Sequence, residues 1–395
     1  MNEQEIFDIE NNLMANVYAK KPLVLVKGKG TIVWDIQGKK YLDFTSSYGV
    51  AALGHSHPKI VEAINEQASN LISCHSGFYN PKRAELLQKL VHLTPKGLNK
   101  IFLSNSGAES VECAIKLARK FSGKTEIIAF MGAYHGKTMG ALSATWDKKY
   151  RKPFEPLVPD FKHVPPDNLD KLQKAITENT AAVLIEPIRG EGGVRVPSKG
   201  FLQEVREICD KNKLLLILDE VQTSFGRTGK LFAFEHWKIT PDILCLAKPF
   251  AGGLPIGITV AKDHIMSSLK IGEHTSTFSG GPVVCAAASA AITALQEEML
   301  VENAAINGKY FVTKLEELKN KYKIIKEVRG LGLMLAIELR KDVAKIIQKG
   351  SDKGLLILNA GRNVLRFLPP LVVTKDQIDQ AIAVIDSILG EEQNG

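Results

Sequence analysis

The stretch LLLILDEVQTSFGRTG, Leu214 to Gly229, decides the fold. Five apolar residues in unbroken succession, Leu214–Leu218, stop on two carboxylates, Asp219 and Glu220. A run this short and this apolar predicts a strand buried on both faces of a parallel sheet. In open α/β sheets functional groups sit just past the carboxyl ends of strands, which is where Asp219 falls. A polar loop with two glycines follows, and a second apolar segment, Ile243–Ala247, then ends on Lys248, Pro249 and the pair Gly252 and Gly253. An acid at one strand end and a lysine at a second, both aimed at one crevice, predict a division of labour. The lysine holds an aldehyde cofactor as a Schiff base, and the acid pairs with a ring nitrogen of that cofactor.

Segments of the same kind recur on either side. Glu126–Phe130 and Ala181–Ile185 read as buried strands, Ile101–Leu103 as a short one and Ile256–Val260 as another. The turn Ser104–Glu109 leads into a helix whose stripe Val111, Ala114, Ile115 and Ala118 faces a core. Ser106, Gly107 and Ala108 are small residues at that helix N-terminus, where free N–H groups and the dipole favour an anion. A phosphate cup and an ordinary capping turn both fit them. Met131–Thr138 resembles a Walker A loop, but three residues separate Gly132 from Gly136 where that motif needs four. A loop so shortened cannot wrap the same phosphates, so nucleotide binding is not expected.

Residues 1 to about 50 carry short alternating segments, including Leu23–Val26 and Thr31–Asp35, and read as a small antiparallel unit. A helix opens after Gly54–Pro58, with Ile60, Ile64 and Leu71 on one face. His55 and His57 have no third ligand nearby, so they shape the loop and no metal is expected. From about residue 300, helices alternate with the short strands Gly332–Glu338 and Val364–Leu368.

A chain of 395 residues, 45% hydrophobic and 24% charged, buries a large core and splits into one large and one small domain. No apolar run approaches ~18 residues, so no membrane partner is expected, and the acidic N-terminus is no signal peptide. Cys74, Cys113, Cys209, Cys245 and Cys285 are scattered with no Cys-x-x-Cys, which predicts reduced thiols in a cytoplasmic protein. The net charge of +8 is spread along the chain. It predicts a solvated lysine-rich surface, or attraction to an acidic partner, and no nucleic acid.

Taken together, Leu218–Gly229 and LAKPFAGGLPIG over Leu246–Gly257 resemble the signature of the class III aminotransferases, which use pyridoxal 5'-phosphate (PLP). Within that family the chain is most similar to the acetylornithine type, including relatives whose substrate is tethered to an amino-group carrier protein, and the resemblance covers nearly the whole chain. It implies an α/β fold of the fold type I PLP-dependent transferases. The large PLP-binding domain, residues 51–285, would hold a mostly parallel seven-stranded sheet; the small α+β domain would come from both chain ends, 1–50 and 286–395.

The resemblance also implies roles. Lys248 is the catalytic lysine and Asp219 the acid under the ring nitrogen. Tyr134 stacks on the ring, its electron-rich face suited to a pyridinium. Val221 packs on the opposite face, Gln222 reaches the phenolic oxygen, and His135 lies beside the cofactor. Ser106, Gly107 and Ala108 become the phosphate cup, completed by Thr277 of the neighbouring subunit in a homodimer whose active site lies at the interface. Lys137 and Ser276 touch substrate. Glu191 and Arg366 form a gate: paired, they admit an amine, and with Glu191 swung away Arg366 takes a carboxylate of glutamate or 2-oxoglutarate. Three departures stand out. Lys137 replaces an arginine and loses its bidentate fork, Arg189 replaces a glutamine, and Ser279–Pro282 replaces Gly-Gly-Asn-Pro.

The activity so implied moves the terminal amino group of an N-blocked ornithine or lysine, acetylornithine or a carrier-linked equivalent, to 2-oxoglutarate, or the reverse, in arginine or lysine biosynthesis. Putrescine or 4-aminobutyrate transamination is the alternative, because Lys137 and Thr138–Thr145 resemble those relatives too. A PLP-fold binding protein without turnover would not need both Lys248 and Asp219. The pI of about 9.0 suits an acidic carrier protein.

Overall fold

The computed structural model describes residues 1–394, so of the segment 286–395 only Gly395 lies outside the described residues. Its strands, in chain order, are β1 (Leu25–Lys29), β2 (Ile32–Asp35), β3 (Lys40–Asp43), β4 (Leu98–Ser104), β5 (Glu126–Phe130), β6 (Phe161–Val164), β7 (Thr180–Ile185), β8 (Leu215–Asp219), β9 (Ile243–Leu246), β10 (Gly257–Lys262), β11 (Ile325–Leu331), β12 (Met334–Leu339), β13 (Leu355–Leu356), β14 (Leu358–Asn359) and β15 (Val364–Phe367).

Seven of them form one sheet in the order β4-β10-β9-β8-β7-β5-β6. The run from β9 to β6 is parallel throughout, and β10 alone is reversed against both its neighbours. The mostly parallel seven-stranded sheet is therefore present. Every residue of β5, β7 and β8 is buried, which is why these segments read as unbroken apolar runs rather than alternating ones. Successive side chains point to opposite faces. Ile127 and Ile217 pack under the helix Gly107–Ser122 with Val111 and Ala118, while Ile128 and Leu216 join Val205 and Ala287 on the other side.

Two four-stranded sheets make up the smaller part. In one, the antiparallel β1–β3 accepts β13 as a parallel neighbour of β3, which joins the two chain ends. In the other, β11, β12, β15 and β14 are antiparallel.

Several local expectations need correction. Leu71 does not face the core. The helix Pro58–Asn70 ends before it, and Leu71 caps the end with 46% of its surface exposed. The first strand begins at Leu25 rather than Leu23, and Leu25 and Val26 are exposed. Two strands had no apolar signature. β6 is an edge strand carrying Lys162 and His163, and β11 interleaves Lys326, Glu327 and Arg329 with its apolar residues. His55 and His57 turn to different carboxylates, Asp43 at 2.7 Å and Glu298 at 3.1 Å. Among the described residues no single helix is long and apolar enough to cross a membrane.

Candidate active site

Two adjacent parallel strands set the site. β8 ends on Asp219, which pairs in register with Cys245 of β9, and Lys248 follows two residues after β9 stops. Both side chains line one cavity of about 470 Å3, together with Asn105, Ser106, Gly107, Ala108, Tyr134, His135, Lys137, Glu186, Glu191, Val221 and Gln222.

Lys248 sits at φ 42°, in the left-handed region that a residue with a side chain rarely occupies. Burial, helped by the Arg366 charge and opposed by Glu191, Asp219 and Glu186, pushes its ammonium down to about 8. A useful fraction of it is then a free amine near neutral pH, the state that can attack an aldehyde.

Asp219 is buried and oriented from two sides. Its Oδ2 lies 2.8 Å from His135 Nδ1, and its Oδ1 accepts from the Val221 N–H at 3.1 Å. His135 is itself buried, its backbone N–H donates to Thr145 Oγ1 at 2.9 Å, and its ring Nε2 has no partner.

The loop Met131–Thr138 is pinned where it enters the helix Met139–Ala144. Glu112 Oε1 accepts from Thr138 Oγ1 at 2.6 Å and from the N–H groups of Gly140 and Ala141 at 2.7 and 3.1 Å. That cap presents Tyr134 to the cavity, where burial and then Glu191 push its hydroxyl up to about 12. Its ring meets Tyr150 edge-on at 5.6 Å. Lys137 is exposed, with its ammonium 5.1 Å from the Tyr150 ring centre.

The helix Gly107–Ser122 points its N-terminus into the cavity. Ser106 Oγ accepts from the Glu109 N–H at 3.2 Å, so the capping role is filled as well, but first-turn N–H groups have no acceptor within their own helix. The space in front of them is kept by absent side chains. A Cβ on Gly107 would lie 2.7 Å from Val221 Cγ1, and one on Gly136 would lie 2.8 Å from Ala108 Cβ.

Arg366, on β15, is fully buried. Its Nη1 donates to Glu191 Oε1 at 2.6 Å and to Gln222 Oε1 at 3.4 Å, while Nε and Nη2 have no partner. The exposed ring of Tyr48 covers it at 5.6 Å, carried on a turn whose residues Ser46, Ser47 and Tyr48 all have positive φ. Ser276 and Thr277 do not line the cavity of their own chain. Ser276 Oγ accepts from Asn105 Nδ2 at 3.0 Å, and Thr277 is exposed.

Sequence reading missed Tyr48, Asn105 and Glu186. Glu186 had a signal: it follows β7 much as Asp219 closes β8. Burial, opposed by His135 and reinforced by Asp219, pushes its carboxyl up to about 7.

An anion and an amine in one cavity, an aromatic face, and a helix N-terminus cleared of side chains together fit a flat phosphorylated aldehyde such as PLP. The chain matches the family model described as Aminotransferase class-III over residues 13–389. It belongs to the class III aminotransferases. This class III aminotransferase is 47% identical to the acetylornithine aminotransferase of Methanopyrus kandleri over 376 residues, 95% of this chain and 96% of that one. It is also 47% identical to the acetylornithine aminotransferase of Methanocaldococcus jannaschii, covering 99% of each chain. Among solved structures it superposes on the ornithine aminotransferase of Toxoplasma gondii with a TM-score of 0.96 at 34% identity, covering 100% of this chain and 96% of that one. On the acetylornithine aminotransferase of Elizabethkingia anophelis the TM-score is 0.88 at 38% identity, covering 99% and 100%. As a member of the family it is a PLP-dependent transaminase of fold type I.

Proposed function

We propose that this transaminase binds PLP between Asp219 and Lys248 and moves the terminal amino group of an N-blocked ornithine or lysine to 2-oxoglutarate, or runs the reverse. One observation carries the proposal: Asp219 and Lys248 line a single cavity, with the Glu191–Arg366 pair at 2.6 Å beside it. The relatives at 47% identity that bear the name acetylornithine aminotransferase support acetylornithine as the first donor to try. Lys137 favours a second reading, because a lone ammonium grips a carboxylate less specifically than a guanidinium. Putrescine and 4-aminobutyrate therefore belong in the same panel.

PLP, when bound, supplies an aldehyde carbon that takes up the amine and a ring that stores an electron pair. The chain's residues do the rest. Lys248 Nζ, poised by its lowered pKa, would be the base that takes the proton from the substrate carbon and gives it back. Asp219, held by His135 and the Val221 N–H, would pair with the ring nitrogen. Tyr134 and Val221 would flank the ring, Gln222 would address its phenolic oxygen, and Gly107 and Ala108 would offer N–H groups to the phosphate. With Glu191 on Arg366 the cavity accepts a donor amine, and with Glu191 displaced Arg366 accepts the dicarboxylate.

The reading extends to organisation. Residues 1–50 and 286–395 form the small domain and 51–285 the large one, in keeping with the sheet that joins both chain ends. The exposed Phe78, Tyr79, Ile271 and Phe278 support a homodimer in which Thr277 and Ser276 serve the neighbouring site. An acidic carrier protein remains a candidate bearer of the donor, and the unpaired cysteines are in keeping with the cytoplasm. Steady-state rates with acetylornithine, carrier-linked lysine, putrescine and 4-aminobutyrate test the substrate. A kcat/KM highest for an unblocked diamine would overturn the first reading.

A further inference from the structure

Glu186 takes no part in the chemistry above, yet both oxygens of this buried carboxylate are in use, each on a different segment. Oε2 accepts from the Tyr134 N–H at 2.9 Å, and Oε1 accepts from the Gly190 N–H at 3.2 Å. Tyr134 carries the ring that faces the cavity, and Gly190 immediately precedes Glu191, the partner of Arg366. The far end of the same turn is held too, since the Gly193 carbonyl accepts from Arg329 Nε at 2.8 Å. Glu191 thus sits in a turn fastened on both sides of it. The near fastening is tight, because a Cβ on Gly190 would overlap Gln222 Oε1.

We infer that Glu186 is a positioning residue that ties the Tyr134 loop to the Glu191 turn, so that the gate setting and the seating of the aromatic ring change together. This tie presupposes that Glu191 and Arg366 form the gate proposed above. Its chemistry suits the task. An ionised carboxylate accepts two backbone N–H bonds at once, and a charged acceptor makes each stronger than a neutral one. Protonation turns one oxygen into a donor and weakens the tie. The charged groups facing Glu186 are His135 from the Tyr134 loop, Asp219 at the end of β8, Lys248 after β9, Arg189 in its own loop, and Glu191 and the Tyr134 hydroxyl across the cavity. With the carboxyl titrating at about 7, the tie is complete above neutrality and loosens below it.

Glu186→Gln keeps the size and one good acceptor. The two half-reactions of the PLP-loaded enzyme, with acetylornithine and with 2-oxoglutarate, are measured separately across pH, alongside amide hydrogen exchange. A loosened turn lets Glu191 leave Arg366 more readily. The KM for 2-oxoglutarate should therefore fall relative to that for the amine by roughly tenfold, about one hydrogen bond to a charged acceptor. The pH dependence of that ratio should flatten, and exchange in segments 131–138 and 187–195 should rise together. Proportional slowing of both half-reactions with an unchanged KM ratio, or faster exchange in only one of the two segments, overturns the tie. Glu191→Gln is the control. If it leaves the KM ratio unchanged, the gate reading fails, and the exchange result alone then decides for or against Glu186. Should Glu186→Gln not fold, Glu186→Asp, a carboxylate on a shorter arm, takes the same measurements.

Discussion

Asp219 Oδ2 and His135 Nδ1 lie 2.8 Å apart, and both side chains are buried. The histidine fixes which way the carboxylate faces, and in the proposed function its charge serves the ring nitrogen of the cofactor. Removing that charge should be severe. Asp219→Ala and Asp219→Asn are both expected to slow single-turnover transamination by about 10²–10³-fold, or ~3–4 kcal/mol of barrier. Asparagine preserves the shape, so equal losses in the two variants assign the effect to charge. His135→Ala should cost less, since Asp219 keeps the Val221 N–H.

Arg366 gives one nitrogen to Glu191 and leaves two without partners in a fully buried position. A buried guanidinium with spare donors is suited to a second carboxylate. Arg366→Ala should raise the KM for 2-oxoglutarate by about 10²-fold, the loss of a charge-assisted pair, while the amine half-reaction changes far less. Half-reaction kinetics followed by cofactor absorbance check this.

Lys248 is pushed down to about 8 in the folded chain, below the ordinary lysine value of ~10.4. Between those two values the unfolded chain binds more protons than the folded one. Lys248 should therefore contribute a stability to the cofactor-free protein that rises with pH across that window, against the opposite slope of Cys113, Cys209 and Cys285, whose thiols burial pushes up to about 12. Lys248→Met should remove that contribution, so its stability should fall more steeply with pH than the wild type's. Melting temperatures at stepped pH values, wild type against variant, measure it.

Gly107 has no room for a side chain, because a Cβ would stand 2.7 Å from Val221 Cγ1. Gly107→Ala should push Val221 toward the ring position and weaken cofactor binding, by ~1–3 kcal/mol for an overpacked contact. Titration of the cofactor-free protein with PLP reads the shift. The melting temperature without cofactor should move little by comparison.

Much of this was legible in the chain itself, for a physical reason. β5, β7, β8 and β9 are buried at every residue, so their apolar runs were unmistakable, and the polar residues Asp219 and Lys248 stood out where β8 and β9 stopped. What stayed hidden depended on long-range contacts. Tyr48 reaches Arg366 across more than three hundred residues of sequence on a left-handed turn that nothing in its local composition announces. β6 and β11 carry charged residues because one lies at a sheet edge and the other joins an ion-pair network, where Arg329 and Lys326 meet Glu338. Glu186 was visible as a strand-end acid, and Gly190 lies four residues on in its own loop, but the Tyr134 N–H comes from a loop that only the folded sheet brings near. Arg189, in place of glutamine, has no explanation in the structure.

The most direct test is chemical. The protein is loaded with PLP, reduced with borohydride and digested, and the peptides are weighed. One phosphopyridoxyl group is expected, fixed on the peptide that contains Lys248 and absent from Lys248→Met. A group fixed on any other lysine, or no covalent attachment in a protein that turns yellow with PLP, would contradict it.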